Sequence, residues 1–223
     1  MQLPILIINF KAYRNGVGEH AVQLAKICEK VSQETGVNIV VAVQDADIYR
    51  VSQKTSVPVY AQHLEPITPG SHTGHDLPDA IKENGAVGCL INHSEDRLRI
   101  DQIKASVDKA KELGIDCVVC ANDPVTAEAV AAFDPDMIAV EPPELIGGDV
   151  SVSTARPEVI TDAIQLVHKD TNIPVLCGAG VNNKADVVKA LELGSQGILV
   201  ASAVVKAEDR EAVVRELASG FIQ

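Results

Sequence analysis

Four polar residues follow apolar runs of the sequence at places where their side chains could act together on a carbonyl compound. Asn9 and Lys11 close the first run two positions apart, so both project to one side. His93 follows the fourth run and Glu141 the sixth. Removing a proton beside a carbonyl requires a base, hydrogen-bond donors to the oxygens and a nearby cation. Glu141, His93, Lys11 and Asn9 are therefore candidates for proton-transfer chemistry of this kind.

Each of these residues alone is weak support for a site. A lysine at a strand end is usually solvated, and a lone histidine is usually structural. Ser94 or its neighbours can cap the following helix and place Glu95 in its first turn. His93 would then face a positive helix terminus, which disfavours the imidazolium form.

Small residues near the end of the chain predict a phosphate site. Gly178 and Gly180 follow the seventh apolar run, and Ala201 and Ser202 follow the eighth. Small side chains let backbone N–H groups approach an anion closely, and phosphate-binding barrels hold their ligand after these two strands. The segment 142–149 has prolines at its start and Gly147 near its end, which predicts a lid that moves as a unit.

Eight apolar runs alternate with helical patterns and must position these residues. The expected strands are Leu3–Asn9, Asn38–Val43, Val57–Ala61, Val87–Ile91, Asp116–Cys120, Met137–Val140, Pro174–Cys177 and Gly197–Val200. Eight rounds predict an α/β fold of the (β/α)₈ type, a parallel eight-stranded TIM barrel. Helices such as Val125–Phe133 must be brief, so shortened helices are expected in the second half of the chain. Long connections follow the third and sixth strands.

Composition and charge limit the classes of partner. The chain has 223 residues and a net charge of −12, without a basic stripe, so nucleic acid and anionic membranes are poor partners. No membrane span or basic leader is present, which predicts a cytoplasmic protein, and no linker divides it, which predicts one domain over residues 1–223. The five cysteines fall in apolar patterns and are expected to be buried free thiols.

The motifs together resemble the triosephosphate isomerase family in its compact archaeal form. They are N-F-K at 9–11, H-S-E at 93–95, E-P-P-(x)₃-G-G at 141–148 and C-G-A-G-V at 177–181. The resemblance implies interconversion of glyceraldehyde 3-phosphate and dihydroxyacetone phosphate, without a metal or an organic cofactor. It also implies that Glu141 is the base, that His93 is a neutral electrophile, and that Lys11 and Asn9 lie at the reacting oxygens. Glu95 is expected to pair with Lys11, and Ser94 to lie beside the site. The residues expected to bind the phosphate are Ile146, Gly147, Gly178, Gly180, Ala201 and Ser202.

The sequence departs from the family pattern at several places. Asn92 stands where glycine often precedes the histidine, Gly180 stands where serine is frequent, and Ala201-Ser202 replaces two glycines. The resemblance also implies a homo-oligomer, with Thr73-Gly74 entering a neighbouring subunit and dimers pairing into a tetramer through the shortened helices. Two alternatives remain open, namely another barrel enzyme acting on sugar phosphates and a non-catalytic barrel that serves as a scaffold.

Overall fold

Eight parallel strands form a closed barrel in the computed structural model, which describes residues 2–142 and 151–222. Each strand pairs with its sequence neighbours, and β8 pairs with β1. The strands are β1 Ile5–Asn9, β2 Asn38–Val43, β3 Val59–Ala61, β4 Gly88–Ile91, β5 Asp116–Ala121, β6 Met137–Val140, β7 Val175–Cys177 and β8 Gly197–Val200. The predicted (β/α)₈ TIM barrel is confirmed.

The described part of the chain has ten α-helices, which surround the barrel. They are α1 Glu19–Thr35, α2 Asp45–Ser52, α3 Pro78–Glu83, α4 Ile100–Leu113, α5 Pro124–Ala131, α6 Val152–Ala155, α7 Pro157–Val167, α8 Lys184–Glu192, α9 Ser202–Val205 and α10 Arg210–Ser219. Gly36 and Gly114 end α1 and α4 in the left-handed conformation that favours glycine. Helices of the second half are short, but α2 and α3 are short as well, so shortening is not confined to that half.

The strands separate two apolar layers because their side chains alternate. Ile5, Ile7 and Leu90 point into the barrel with the other interior residues, whereas Leu6 and Ile8 pack against the helices. Cys117 lies in the outer layer and Cys120 in the inner one, as expected for strand positions three apart. All five cysteines are buried and free, as predicted.

The observed strands begin slightly later than predicted at four places. The residues Leu3, Val57, Val87 and Pro174 lie just before the observed strands, although backbone groups of Val87 and Pro174 still form hydrogen bonds to neighbouring strands. Because all strands are parallel, their carboxyl ends meet at one face of the barrel, where Asn9, His93 and Glu141 emerge.

Candidate active site

The first strand delivers an amide and a cation to the barrel mouth. Asn9 is buried, and its Oδ1 accepts a hydrogen bond of 2.9 Å from the backbone N–H of Lys11. The Lys11 side chain is 10% exposed, and its Nζ lies 2.7 Å from Oε1 of Glu95. The structure thus contains the pairing of Glu95 with Lys11 that the resemblance implies.

Lys11 has an unusual backbone, with φ at +50°. A left-handed conformation is uncommon for a residue with a long side chain and requires support from its surroundings. Gln62 supplies such support, since its Nε2 donates to the carbonyl oxygens of Lys11 at 3.1 Å and Ala42 at 3.2 Å. Gln62 is not among the residues predicted from the sequence, although it is a polar residue directly after β3, at the functional face of the barrel.

The segment after β4 forms a turn that holds His93. The N–H of Asp96 donates to the carbonyl of His93 at 2.8 Å, and the N–H of Glu95 donates to the ring Nδ1 at 3.2 Å. The expectation that Ser94 caps the next helix is wrong, because α4 begins at Ile100. Nδ1 of the ring therefore faces a turn amide instead of the N-terminus of α4. With Nδ1 as an acceptor, the proton of a neutral ring lies on Nε2.

Glu141 is buried directly after β6 and lies against the histidine. Its Oε2 accepts from the N–H of Ser94 at 3.2 Å and lies 3.5 Å from Nε2 of His93. Its Oε1 and the hydroxyl of Ser94 have no hydrogen-bond partner among the described residues. Burial and the neighbouring Glu141 carboxylate raise the pKa of the Cys120 thiol well above its ordinary value, so that thiol stays protonated.

The residues expected to bind phosphate line one pocket with the chemical groups. Gly178, Gly180, Ala201 and Ser202 share this pocket with Asn9, Lys11 and His93. A side chain at Gly178 would place its Cβ 3.1 Å from the Val140 carbonyl oxygen and 3.3 Å from Cβ of Glu141, which explains the glycine there. Gly180 has φ at +69°. Ile146 and Gly147 lie in residues 143–150, outside the described residues.

The arrangement combines the groups needed to move a proton between adjacent carbon atoms. A buried carboxylate with one unpaired oxygen can accept a proton, an Nε2–H can donate to a carbonyl oxygen, and a cation can stabilise the enediolate. The small-residue pocket lies beside them and fits an anionic group.

Comparison with known proteins agrees with this chemistry. A family model described as triosephosphate isomerase matches residues 4–217. The chain belongs to the triosephosphate isomerase family. It is 48% identical to the triosephosphate isomerase of Methanocaldococcus jannaschii over 214 residues, which is 96% of this chain and 98% of that protein. It is also 48% identical to that of Methanosarcina barkeri, over 97% of this chain and 98% of the relative.

Family membership fixes the activity. The chain isomerises triose phosphates, an aldose–ketose interconversion that belongs to glycolysis. The triosephosphate isomerase of Methanobrevibacter smithii is 44% identical over 98% of this chain and 99% of its own length.

No helix within the described ranges is long and apolar enough to cross a membrane.

Proposed function

We propose that Glu141, His93, Lys11 and Asn9 carry out the isomerisation of D-glyceraldehyde 3-phosphate and dihydroxyacetone phosphate. The observation that carries this assignment is the 3.5 Å approach of His93 Nε2 to Glu141 Oε2 in the mouth of the barrel. His93 shares its pocket with Lys11 and Asn9, so the imidazole, the cation and the amide line the same pocket. These four groups satisfy the requirements of an enediolate reaction.

Each residue has a separate step. Glu141 removes the proton from the carbon beside the carbonyl and returns it to the neighbouring carbon. Nε2–H of His93 donates to the carbonyl oxygen and moves protons between the two oxygens. Lys11 attracts the substrate dianion and stabilises the enediolate, and Glu95 orients the Lys11 side chain. Asn9 contributes its amide beside the reacting oxygens.

The phosphate binds to backbone N–H groups at the ends of β7 and β8. Gly180, Ala201 and Ser202 supply them, and Gly178 leaves room for Glu141 beside the substrate. Asn182 supports this arrangement, because its Nδ2 donates to the Gly180 carbonyl at 2.6 Å and holds the turn. Small side chains at these positions therefore suffice, since the contacts come from the backbone.

The tautomer of His93 tests the assignment directly. Nitrogen NMR of the protein at neutral pH is expected to show His93 with an unprotonated Nδ1 and a protonated Nε2. A ring with its proton on Nδ1 would direct the wrong nitrogen toward the substrate and would contradict the electrophile role. His168 is an internal reference, because its Nε2 lies 3.0 Å from the Ile173 carbonyl and must donate there.

Residues 142–149 are proposed to close over the bound substrate, with Ile146 and Gly147 reaching the phosphate. The two flanks of this segment support the proposal because both are fixed to the barrel. Pro142 is buried on one side, and on the other the N–H of Val152 donates to the Ala179 carbonyl at 3.2 Å. Exclusion of water would protect the enediol phosphate from losing its phosphate. Bound 2-phosphoglycolate is expected to slow proteolysis and hydrogen exchange there, and equal rates with and without it would contradict closure.

A groove beside the site supports an oligomer in which the loop after β3 enters a second copy. The groove of about 660 Å³ is lined by Lys11, His93 and Glu95 together with Asp45 and Asp76. The tip of that loop, residues 70–75, is exposed and carries Thr73 and Gly74. A symmetric exchange of such tips would brace the catalytic residues of both subunits at once.

The outer face of α5 supports pairing of dimers into a homotetramer. Val125 is 69% exposed, Ala129 follows it on the same face of the helix, and Ala132 caps the helix end. A stripe of apolar and small side chains on a short helix is typical of a contact surface.

Light scattering at micromolar concentration is expected to give the mass of four chains. Thr73→Arg is expected to give smaller assemblies with weak activity, because the bulky cation prevents docking while the catalytic residues stay in place. A wild-type mass of one chain would contradict the oligomer, and a mass of two would contradict only the tetramer. A cytoplasmic location and a single domain remain predictions from the sequence.

A further inference from the structure

The side chain of Asn92 joins the catalytic turn to the neighbouring strand. Its Nδ2 donates to the carbonyl oxygen of Cys120 at 2.9 Å, and its Oδ1 accepts from the N–H of Leu98 at 2.9 Å. Only one orientation of the amide satisfies both bonds, since the NH₂ must face the carbonyl and the oxygen must face the N–H. Residues 93–97, which include His93, therefore lie in a loop whose two ends are fastened by one side chain.

The same strand also fastens Glu141. The backbone N–H of Glu141 donates to the carbonyl of Ala121 at 2.8 Å. Cys120 and Ala121 are consecutive residues of β5, which has β4 on one side and β6 on the other. Successive carbonyls of a strand point to opposite sides. One carbonyl therefore holds the residue before His93, and the next holds the backbone of Glu141.

The backbone of Asn92 restricts which residues fit at this position. Its φ is +59°, in the left-handed region where glycine is unstrained and asparagine is among the best tolerated other residues. Glycine would satisfy the backbone but could form neither side-chain bond. Asparagine satisfies both requirements.

We propose that Asn92 is a positioning residue that sets the distance between His93 and Glu141. The proposal rests on the roles proposed above for those two residues. Leu98, at the far end of the loop, is packed against the outer apolar layer. Asn92 therefore connects the loop that carries His93 to two ordered groups, the Cys120 carbonyl and the Leu98 N–H. Without it, the turn keeps its own hydrogen bonds but loses the side-chain bond to the strand that holds Glu141.

Asn92→Gly tests this inference because it keeps the backbone conformation and removes both side-chain bonds. We expect kcat to fall by about 10- to 100-fold, since misplacement on the order of 1 Å has effects of this size. KM should change by less than about twofold, because the phosphate residues follow other strands. Nitrogen NMR should show exchange broadening of the His93 ring signals, which loss of stability alone would not produce.

Asn38→Ala is the matched control. Asn38 Nδ2 donates to the Gln2 carbonyl at 2.7 Å, so it also ties strand β2 to a neighbouring segment, but at the amino end of the barrel. We expect this variant to have wild-type kcat and a comparable loss of thermal stability.

Asn92→Asp is the second variant, and it decides the question if Asn92→Gly does not fold. Aspartate tolerates the left-handed backbone and keeps the acceptor for Leu98, but it presents an oxygen to the Cys120 carbonyl. We expect its kcat to fall at least about tenfold. Wild-type kcat in a folded Asn92 variant would overturn the inference. Full activity of Glu141→Asp would instead overturn the proposed roles, so the two failures are distinguishable.

Discussion

At the carboxyl end of the barrel, the buried Oε1 of Glu141 and hydroxyl of Ser94 have no hydrogen-bond partner among the described residues. At the amino end, the buried hydroxyl of Ser195 contacts three backbone groups, accepting from Cys177 at 3.0 Å and lying 2.7 and 3.3 Å from the carbonyls of Gly197 and Val175. Tyr60 donates to Asp116, the first residue of β5, at 3.1 Å. These buried polar groups therefore differ: those at the amino end are hydrogen-bonded, whereas two at the carboxyl end have no partner among the described residues.

This difference separates the residues that react from the residues that stabilise. A buried polar atom without a partner costs about 1–3 kcal/mol, so it persists where a ligand supplies the missing contact. Backbone strain follows a similar division, because Lys11 and Asn92, with φ at +50° and +59°, both lie at the carboxyl end. Asp134, with φ at +56°, is the exception and lies in an exposed turn at the amino end.

The largest expected effect concerns two lysines with the same exposure. Lys11 and Lys109 are both 10% exposed and both pair with a glutamate, at 2.7 and 2.6 Å. Lys11→Met should lower kcat/KM by about 10²- to 10³-fold, because it removes a charge that stabilises the enediolate. Lys109→Met should change thermal stability but leave kcat/KM near that of the wild type. Equal kinetic effects would remove the distinction between the two lysines.

A second prediction concerns the half-buried carboxyl group of Asp45 in the groove beside Lys11. Burial, with Asp76 and Glu65 nearby, raises the pKa of Asp45 to about 6. Between about pH 4 and 6 the folded protein retains a proton that the unfolded chain has lost, so this group lowers stability as the pH rises through that range.

Replacing Asp45 by asparagine removes the free-energy cost of ionising this carboxyl group in the folded protein. Asp45→Asn should increase the free energy of unfolding at pH 7 by about 1–3 kcal/mol and flatten its pH dependence between about pH 4 and 6. Urea unfolding at pH 4, 5 and 7 measures both effects. A less stable variant at pH 7 would show that the Asp45 carboxylate is stabilised by its surroundings.

The smallest expected effect lies at the amino end. Tyr60→Phe removes the hydrogen bond to Asp116 and should lower the free energy of unfolding by about 0.5–1.5 kcal/mol. Because this end takes no part in the chemistry, kcat should stay within about twofold of the wild type. Denaturant unfolding and steady-state kinetics check the two halves of the prediction. A large loss of kcat would show that the ends are coupled.

The sequence predicts the barrel better than it predicts how the site is held. Strands β2, β6 and β8 have their predicted bounds, because a run of apolar residues is a local signal. The turn that holds His93 is not a local signal, since Oδ1 of Asn92 accepts from the N–H of Leu98. Gln62 and Asn92 act through backbone groups of other strands, and no motif in their own segment predicts those contacts. The lid falls mostly in residues 143–150, outside the described residues.

The kcat of Glu141→Asp tests the central claim most directly. The substitution withdraws the carboxylate by about one methylene, which should lower kcat about 10²-fold with little change in KM. Glu29→Asp is the control, because Glu29 on the surface of α1 also accepts a backbone bond, of 2.6 Å from Ser56, as Glu141 accepts one from Ser94. We expect a loss of kcat in Glu141→Asp and wild-type kcat in Glu29→Asp. A kcat near that of the wild type in Glu141→Asp would contradict Glu141 as the base.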